Sequence, residues 1–206
     1  MPITKNFCEP TSNTPVFPST KINFSNARRD SLVFLDESGF LLQPLRRKTW
    51  APVGQTPIHY AWDRHDRLSV ICALTVAPEE HRFGLYYQFL DHNCHAVDTV
   101  HFLRSVHHRL RRTMLLVWDR WNVHRSAAAQ LEREACSWLQ SRWLPAYAPE
   151  LDPVEFVWTQ AKYNDLANQI ADDIDDLRQH LAQLLEAYRH DPLRLSSFFE
   201  TARLPI

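Results

Sequence analysis

The sequence predicts an α/β domain, a mixed sheet with helices on its faces, and three observations carry this. Three apolar, β-rich runs follow one another near residues 32–35, 68–76 and 84–90, which suggests an antiparallel meander. From residue 95 the period changes and helical and strand-like segments alternate, which implies helices on the faces of the sheet. The run from Thr113 to Trp118 (TMLLVW) is apolar without interruption, as suits a central parallel strand.

The elements follow in order. Residues 1–30 are rich in Pro, Ser, Thr and Asn and show no sustained period, so they read as an irregular arm; residues 31–206 read as one domain. Leu32-Val33-Phe34-Leu35 reads as a buried strand ended by a turn at Asp36-Glu37-Ser38-Gly39. Residues 40–62, with turn signals at Pro52, Gly54 and Pro57, read as an irregular hairpin region. Strands are expected at Leu68–Val76 and Gly84–Leu90. Helical spacing covers 95–112, then 124–140 with Ala127, Ala128, Leu131, Ala135 and Leu139 facing inward. Trp143-Leu144 reads as a short fifth strand. A helix from Pro153 to about Leu166 and an amphipathic helix over 173–189, capped by Asp172 or Asp173, complete a β-β-β-α-β-α-β-α-α outline.

Composition narrows the function. At 206 residues with 45% hydrophobic and 12% aromatic residues, the chain can bury a sizeable core. Three glycines and the absence of G-x-x-x-x-G-K-[ST] and G-x-G-x-x-G argue against a glycine-rich phosphate cradle. A formal net charge of −1 means that any nucleic-acid contact comes from local basic patches. Cys8, Cys72, Cys94 and Cys136 are widely spaced without C-x-x-C, which speaks against a zinc or disulfide framework; Cys72 reads as a buried thiol. No signal pattern or membrane-length apolar run is present, and a cytoplasmic protein is expected.

The most informative stretch is Leu144–Trp158 (LPAYAPELDPVEFVW). Pro145 and Pro149 stiffen the approach, Asp152 reads as a helix N-cap, and Pro153 as the first helical residue. Glu155 then has two readings: the returning arm of an Asp-x-x-Glu capping box, or a charged group aimed by a rigid helix start. Two further acids, Asp36 and Asp119, each follow an apolar strand-like run, and their company favours the second reading. If those strands are parallel neighbours, about 4.8 Å apart, their carboxylates can face each other and Glu155 can close a third side. Three carboxylates this close would repel and take up protons unless cations were present. Mg²⁺ prefers such hard oxygen ligands, with Mn²⁺ as a substitute, and a pair of ions can activate a nucleophile and stabilise the leaving oxygen in phosphodiester displacement. The expectation is Asp36 bridging two ions, Asp119 on one and Glu155 on the other. Glu37 points away from Asp36 on a strand and is expected outside the metal ligands; Glu37, His124 and Arg120 are candidates for the surrounding layer. The bland alternatives are turn and cap residues for the acids and a satisfied helix-start histidine for His124. Arg46, Arg47 and Lys48, close to Trp50, could hold a phosphate backbone; a solvated face is the alternative.

Phe34–Phe40 (FLDESGF), Trp50–Pro57 (WAPVGQTP), Val117-Trp118-Asp119 with His124-Arg125-Ser126, and Leu144–Glu155 occur in an order that resembles the catalytic domain of bacterial insertion-sequence transposases, DDE superfamily endonucleases related to mariner. The resemblance spans roughly residues 30–205. It implies a ribonuclease H-like fold, a triad of Asp36, Asp119 and Glu155, Mg²⁺ dependence, and cleavage and strand transfer at transposon ends. It also implies DNA, transposon end and target, as partner and a homodimer as the working unit. Two departures stand out. Residues 1–30 do not look like the helix-turn-helix that family members commonly carry, so a separate helix-turn-helix DNA-reading protein is a possible partner. Many relatives have Asn after the second Asp, where this chain has Arg120. The alternatives kept open are an inactive remnant or DNA-binding accessory protein, and a structure-selective nuclease of the same fold.

Overall fold

The computed structural model describes residues 30–43, 45–48, 50–55, 58, 66–77, 79 and 82–204. The arm expected over residues 1–30 therefore lies outside the described residues except for Asp30, as does part of the expected hairpin region.

Five strands form one sheet: β1 (Ser31–Leu41), β2 (Arg67–Ala77), β3 (Arg82–Leu90), β4 (Met114–Trp118) and β5 (Leu139–Trp143), in the order β3-β2-β1-β4-β5. β1, β2 and β3 pair antiparallel as a meander, and β4 pairs parallel with both β1 and β5. The helices are α1 (Ala96–Leu110), α2 (Asn122–Arg133), α3 (Pro153–Gln160), α4 (Ile174–Arg189) and α5 (Pro192–Thr201). The α/β class and the mixed five-stranded sheet agree with the sequence reading.

Strand alternation sorts the core into two layers. Leu32, Phe34 and Phe40 of β1 join Val157, Trp158, Leu181, Leu185 and Phe199 on the face covered by α3, α4 and α5. Val33 and Leu35 join Val100, Leu103, Ala127 and Leu131 on the face covered by α1 and α2. Side chains of this size each stabilise the fold by about 1.5–3 kcal/mol when fully buried. The same alternation sets Asp36 on the α3 side and Glu37 on the α2 side.

Four details correct the sequence reading. β1 does not end at Asp36 but runs to Leu41, because Asp36 to Leu41 continue to pair with β2, Asp36 opposite Cys72 and Leu41 opposite Arg67. Only the parallel pairing with β4 stops earlier, at Phe34 opposite Val117. α2 is shorter than expected: Glu134 closes it, and Ala135 lies exposed in the left-handed region (φ 49) rather than facing the core. β5 begins at Leu139, inside the span read as helix. Its sequence LQSRW is half-exposed and polar, which hides an edge strand from a hydrophobicity pattern. Finally, α5 was not anticipated, although Asp191 caps it and Pro192 opens it, the same signal as Asp152-Pro153.

The turn expected at Pro52 and Gly54 is present, with Gln55 N–H donating to the Pro52 carbonyl at 3.0 Å and Gly54 at φ 82. Among the described residues no helix is long and apolar enough to cross a membrane.

Candidate active site

The site forms where β1 outruns β4. Continuing the parallel register two residues beyond Phe34 and Val117 sets Asp36 level with Asp119, which directly follows β4. The loop from Leu144 then leads through a single 3-10 turn (Pro149–Leu151) into α3. A cleft of about 510 Å³ opens between these elements, lined by Asp36, Asp119, Asp152 and Glu155, with Arg120 and Arg125 on its wall. The three acids singled out in the sequence are thus brought to one cleft.

Asp152 caps α3 as expected, its Oδ1 accepting from Val154 N–H at 2.9 Å. The capping-box arm is not needed, because the Asp152 N–H donates to the Pro149 carbonyl at 3.0 Å. Glu155 is exposed on the cleft wall instead.

Each acid sits in a different environment. Asp36 is held by the indole of Trp158, whose Nε1–H donates to Oδ2 at 3.0 Å. Burial raises its carboxyl well above the usual range, and the charges of Asp152, Glu37 and Glu155 add to that. Burial would also raise Asp119, but the His124 ring and the Trp121 N–H, both donating to Oδ1, hold it below the ordinary value. Burial raises Glu155, reinforced by Asp119 and Glu37 and opposed by Lys162. Asp152, only 3% exposed, is pushed up to about 8 by burial, with Glu155 and Asp119 adding to the shift and the Val154 N–H and His124 opposing it.

His124 is fully buried at the start of α2 and touches both faces' acids. Nδ1 lies 2.5 Å from Asp119 Oδ1 and Nε2 lies 2.9 Å from Glu37 Oε2. Burial disfavours its charge, yet the two carboxylates win and push it up to about 10, so both ring nitrogens donate. Its ring stacks on Trp118 at 5.1 Å, and Trp118 stacks in turn on Trp143. Glu37 does point away from Asp36, and through His124 it still steadies Asp119. Arg120 is exposed at the cleft.

Lys162 was missed in the sequence. It follows Glu155 by seven residues, two helical turns, and so returns to the same side. It lies in a π-helical segment (Ala161–Asp165) that extends α3. Nζ donates to Ser38 Oγ at 2.6 Å and sits 5.1 Å above the Phe40 ring. Burial lowers its pKa against the opposing pull of Glu155 and Asp36. The spacing was the available signal.

Arg46, Arg47, Lys48 and Trp50 are all exposed. Arg47 is tied back to the segment after α3: its NH1 donates to the Tyr163 carbonyl at 2.6 Å and its N–H to Asn168 Oδ1 at 2.8 Å. That anchors the basic stretch on the Lys162 side of the domain.

The donor chemistry suits a hard divalent cation: carboxylate oxygens only, in a site where negative charge is in excess. Among the described residues, however, no three Asp, Glu, His or Cys side chains are grouped closely enough to hold an ion as they stand. An ion held here would require these side chains to come closer together.

The model of the family described as DDE superfamily endonuclease matches residues 31–178, more than half of the chain. The chain belongs to this family. Among solved structures it is similar to the Mos1 transposase paired-end complex with left transposon end, at 18% identity over 84% of this chain and 51% of that one, with a TM-score of 0.56. It is similar to a pre-cleavage Mos1 transpososome at 17% identity, over 84% and 52% of the two chains, with a TM-score of 0.57. The Mos1 mariner paired end complex with Mn gives 18%, 84%, 53% and 0.56. At these identities the likeness is one of fold, and the fold is ribonuclease H-like, as the resemblance implied. This DDE-family chain spans about half the length of the Mos1 chains it matches. No curated protein matches the sequence.

Proposed function

We propose that this chain is the catalytic domain of a transposase that cleaves DNA phosphodiesters at transposon ends and transfers the strand into target DNA. The observation that carries the reading is the meeting of Asp36, Asp119 and Glu155 in one cleft of a DDE-family fold. These three carboxylates would hold Mg²⁺, or Mn²⁺ in its place. When bound, such ions supply Lewis-acid stabilisation of the attacking and leaving oxygens.

The chain's own residues set the stage for this chemistry. Trp158 fixes the rotamer of Asp36, and the Glu37–His124 pair fixes Asp119. Lys162 beside Glu155 offers a cation to a phosphate oxygen, as do Arg120 and Arg125 on the cleft wall. Arg46, Lys48 and Trp50, exposed on the Lys162 side, extend a path for the DNA backbone. Hydrolysis would release a 3′-hydroxyl, which attacks the target strand in the same cleft. A homodimer acting on paired ends, and a helix-turn-helix reader on a separate chain, belong to this reading. So does a cytoplasmic location.

The test is Mn²⁺-dependent nicking of DNA carrying the element's own terminal repeats, wild type beside Glu155→Gln. Loss of nicking with the fold retained is expected; equal nicking by both proteins would return Glu155 to a structural role and sink the triad.

A further inference from the structure

One aromatic ring on the wall of the cleft has no structural task. Tyr147 is 101% exposed, and no ring contact or side-chain hydrogen bond holds it among the described residues. Its backbone is also left-handed, at φ 59. Of the other non-glycine residues in that region, Arg111, Ala135 and Arg203 follow helix ends, where the conformation is ordinary, and Asn168 is of a type that tolerates it. Neither reason covers Tyr147, which lies between β5 and the 3-10 turn. The segment around it is pinned. Leu144 and Ala148 are buried, the Leu144 N–H donates to the Trp118 carbonyl at 2.8 Å, and Pro145 and Pro149 restrict the residues before them. A fixed, strained backbone thus presents a free ring at the edge of the cleft, a costly arrangement for a side chain that packs on nothing.

We propose that Tyr147 stacks on an unpaired base of a DNA strand in this cleft, with Arg120 and Arg125 taking the flanking phosphates. This rests on the reading of the cleft as the DNA site. A base inside a duplex has both faces covered by its neighbours, so only an unpaired one offers a face to the ring. The cleft, at about 510 Å³, has the size of a small-molecule site; a nucleotide fits it and a duplex does not. Arg120 and Arg125 are exposed on the same cleft and pair with no acid among the described residues. A free ring beside free guanidinium groups matches a single strand: charge for the backbone and a π-face for a base, with no sequence read. Because the segment is already fixed, little freedom is lost when the ring stacks. The substrate of the cleft is therefore DNA with an opened end rather than intact duplex.

The experiment is fluorescence anisotropy of the full chain, in EDTA and at low salt, with a blunt DNA duplex and with the same duplex carrying an unpaired 3′ overhang. 2-Aminopurine in the overhang reports stacking by its quenching. Tyr147→Asn removes the ring and suits the left-handed backbone; Tyr147→Ala is a second ring-less variant, and Tyr147→Phe keeps the ring. Circular dichroism checks the fold of each. Wild type and Tyr147→Phe are expected to bind the overhang about fivefold or more tighter than the blunt duplex, with quenching. Both ring-less variants should lose the preference and the quenching while binding blunt duplex as wild type does. A preference kept without the ring, an equal loss on both DNAs, or a loss in Tyr147→Phe as well overturns the inference. So does a change of sedimentation in the ring-less variants, which would place the ring against a second copy of the chain. Equal binding of both DNAs by wild type removes this inference and leaves the DNA site standing; binding of neither removes the DNA reading as well.

Discussion

Two helices of this domain begin with the same dipeptide. Asp152-Pro153 opens α3 and Asp191-Pro192 opens α5, with Asp as cap and Pro in the first helical position. The cap bonds are alike, 2.9 Å to Val154 N–H in one and 3.0 Å to Arg194 N–H in the other. The third helical residue differs. At α5 it is Arg194, whose Nε lies 3.5 Å from Asp191 Oδ2, a surface ion pair worth about 0–1 kcal/mol. At α3 it is Glu155, an acid beside an acid. The Asp191 side chain is 45% exposed, whereas Asp152 is buried in the cleft that Asp36 and Asp119 also line. The same local code thus yields a surface helix start with an ion pair in one place and a buried start beside further acids in the other.

The sharpest way to break this comparison is at the third position. Glu155→Gln should lower Mn²⁺-dependent nicking at least about 100-fold, beyond the usual cost of losing an outer-sphere partner, while Arg194→Gln leaves nicking unchanged. Equal effects would erase the distinction between the two helix starts. Next in size is Trp158→Phe, which removes the donor to Asp36 Oδ2 and keeps the ring; a loss of roughly tenfold in nicking with an unchanged circular dichroism spectrum is expected.

Stability separates the caps themselves. Asp191→Ala should cost about 1 kcal/mol in urea unfolding, the ordinary loss of an N-cap. Asp152→Asn keeps its cap and relieves buried like-charge repulsion, so its melting temperature at pH 8 without metal should exceed that of wild type. A lower value would show that the Asp152 charge is stabilising where it stands.

The smallest effect is in the pH profile. The Asp152 carboxyl is raised from 3.8 to about 8 in the folded chain, so the folded state holds the extra proton between these values and stability falls as pH rises from about 4 to about 8. His124, raised from 6.5 to about 10, contributes stability below its unfolded value that is lost as pH climbs through about 10. Melting curves of Asp152→Asn should lose the lower part of this decline, whereas Asp191→Asn should keep it. An identical slope in wild type and Asp152→Asn would remove the buried charge from the account.

Much of the site was legible because it depends on local chemistry. Pro145, Pro149, the Asp152 cap and Pro153 announce a stiff helix start, and the apolar runs before Asp36 and Asp119 announce buried strands. What escaped were features whose signal is not local. β5 is an edge strand with the polar sequence LQSRW, recognisable only once β4 lies beside it. The end of β1 was placed too early because Asp36, Glu37 and Ser38 resemble a turn, while their pairing with β2 holds them extended. The bond of Lys162 to Ser38 and the grip of His124 on Glu37 depend on which side chains face each other across elements.

Read alone, the chain specified its fold class, the meander followed by parallel strands, the order of the three acids and the rigid entry to α3, since periodicity, caps and prolines act within a few residues. The tertiary structure alone decided what those acids experience. The meeting of Asp152 with Asp36 in one cleft, the grip of Glu37 on His124 and the contact of Lys162 with Ser38 arise between residues distant in sequence. Desolvation and Coulomb forces act across space, and a helix cap has no knowledge of its charge environment until the sheet supplies it.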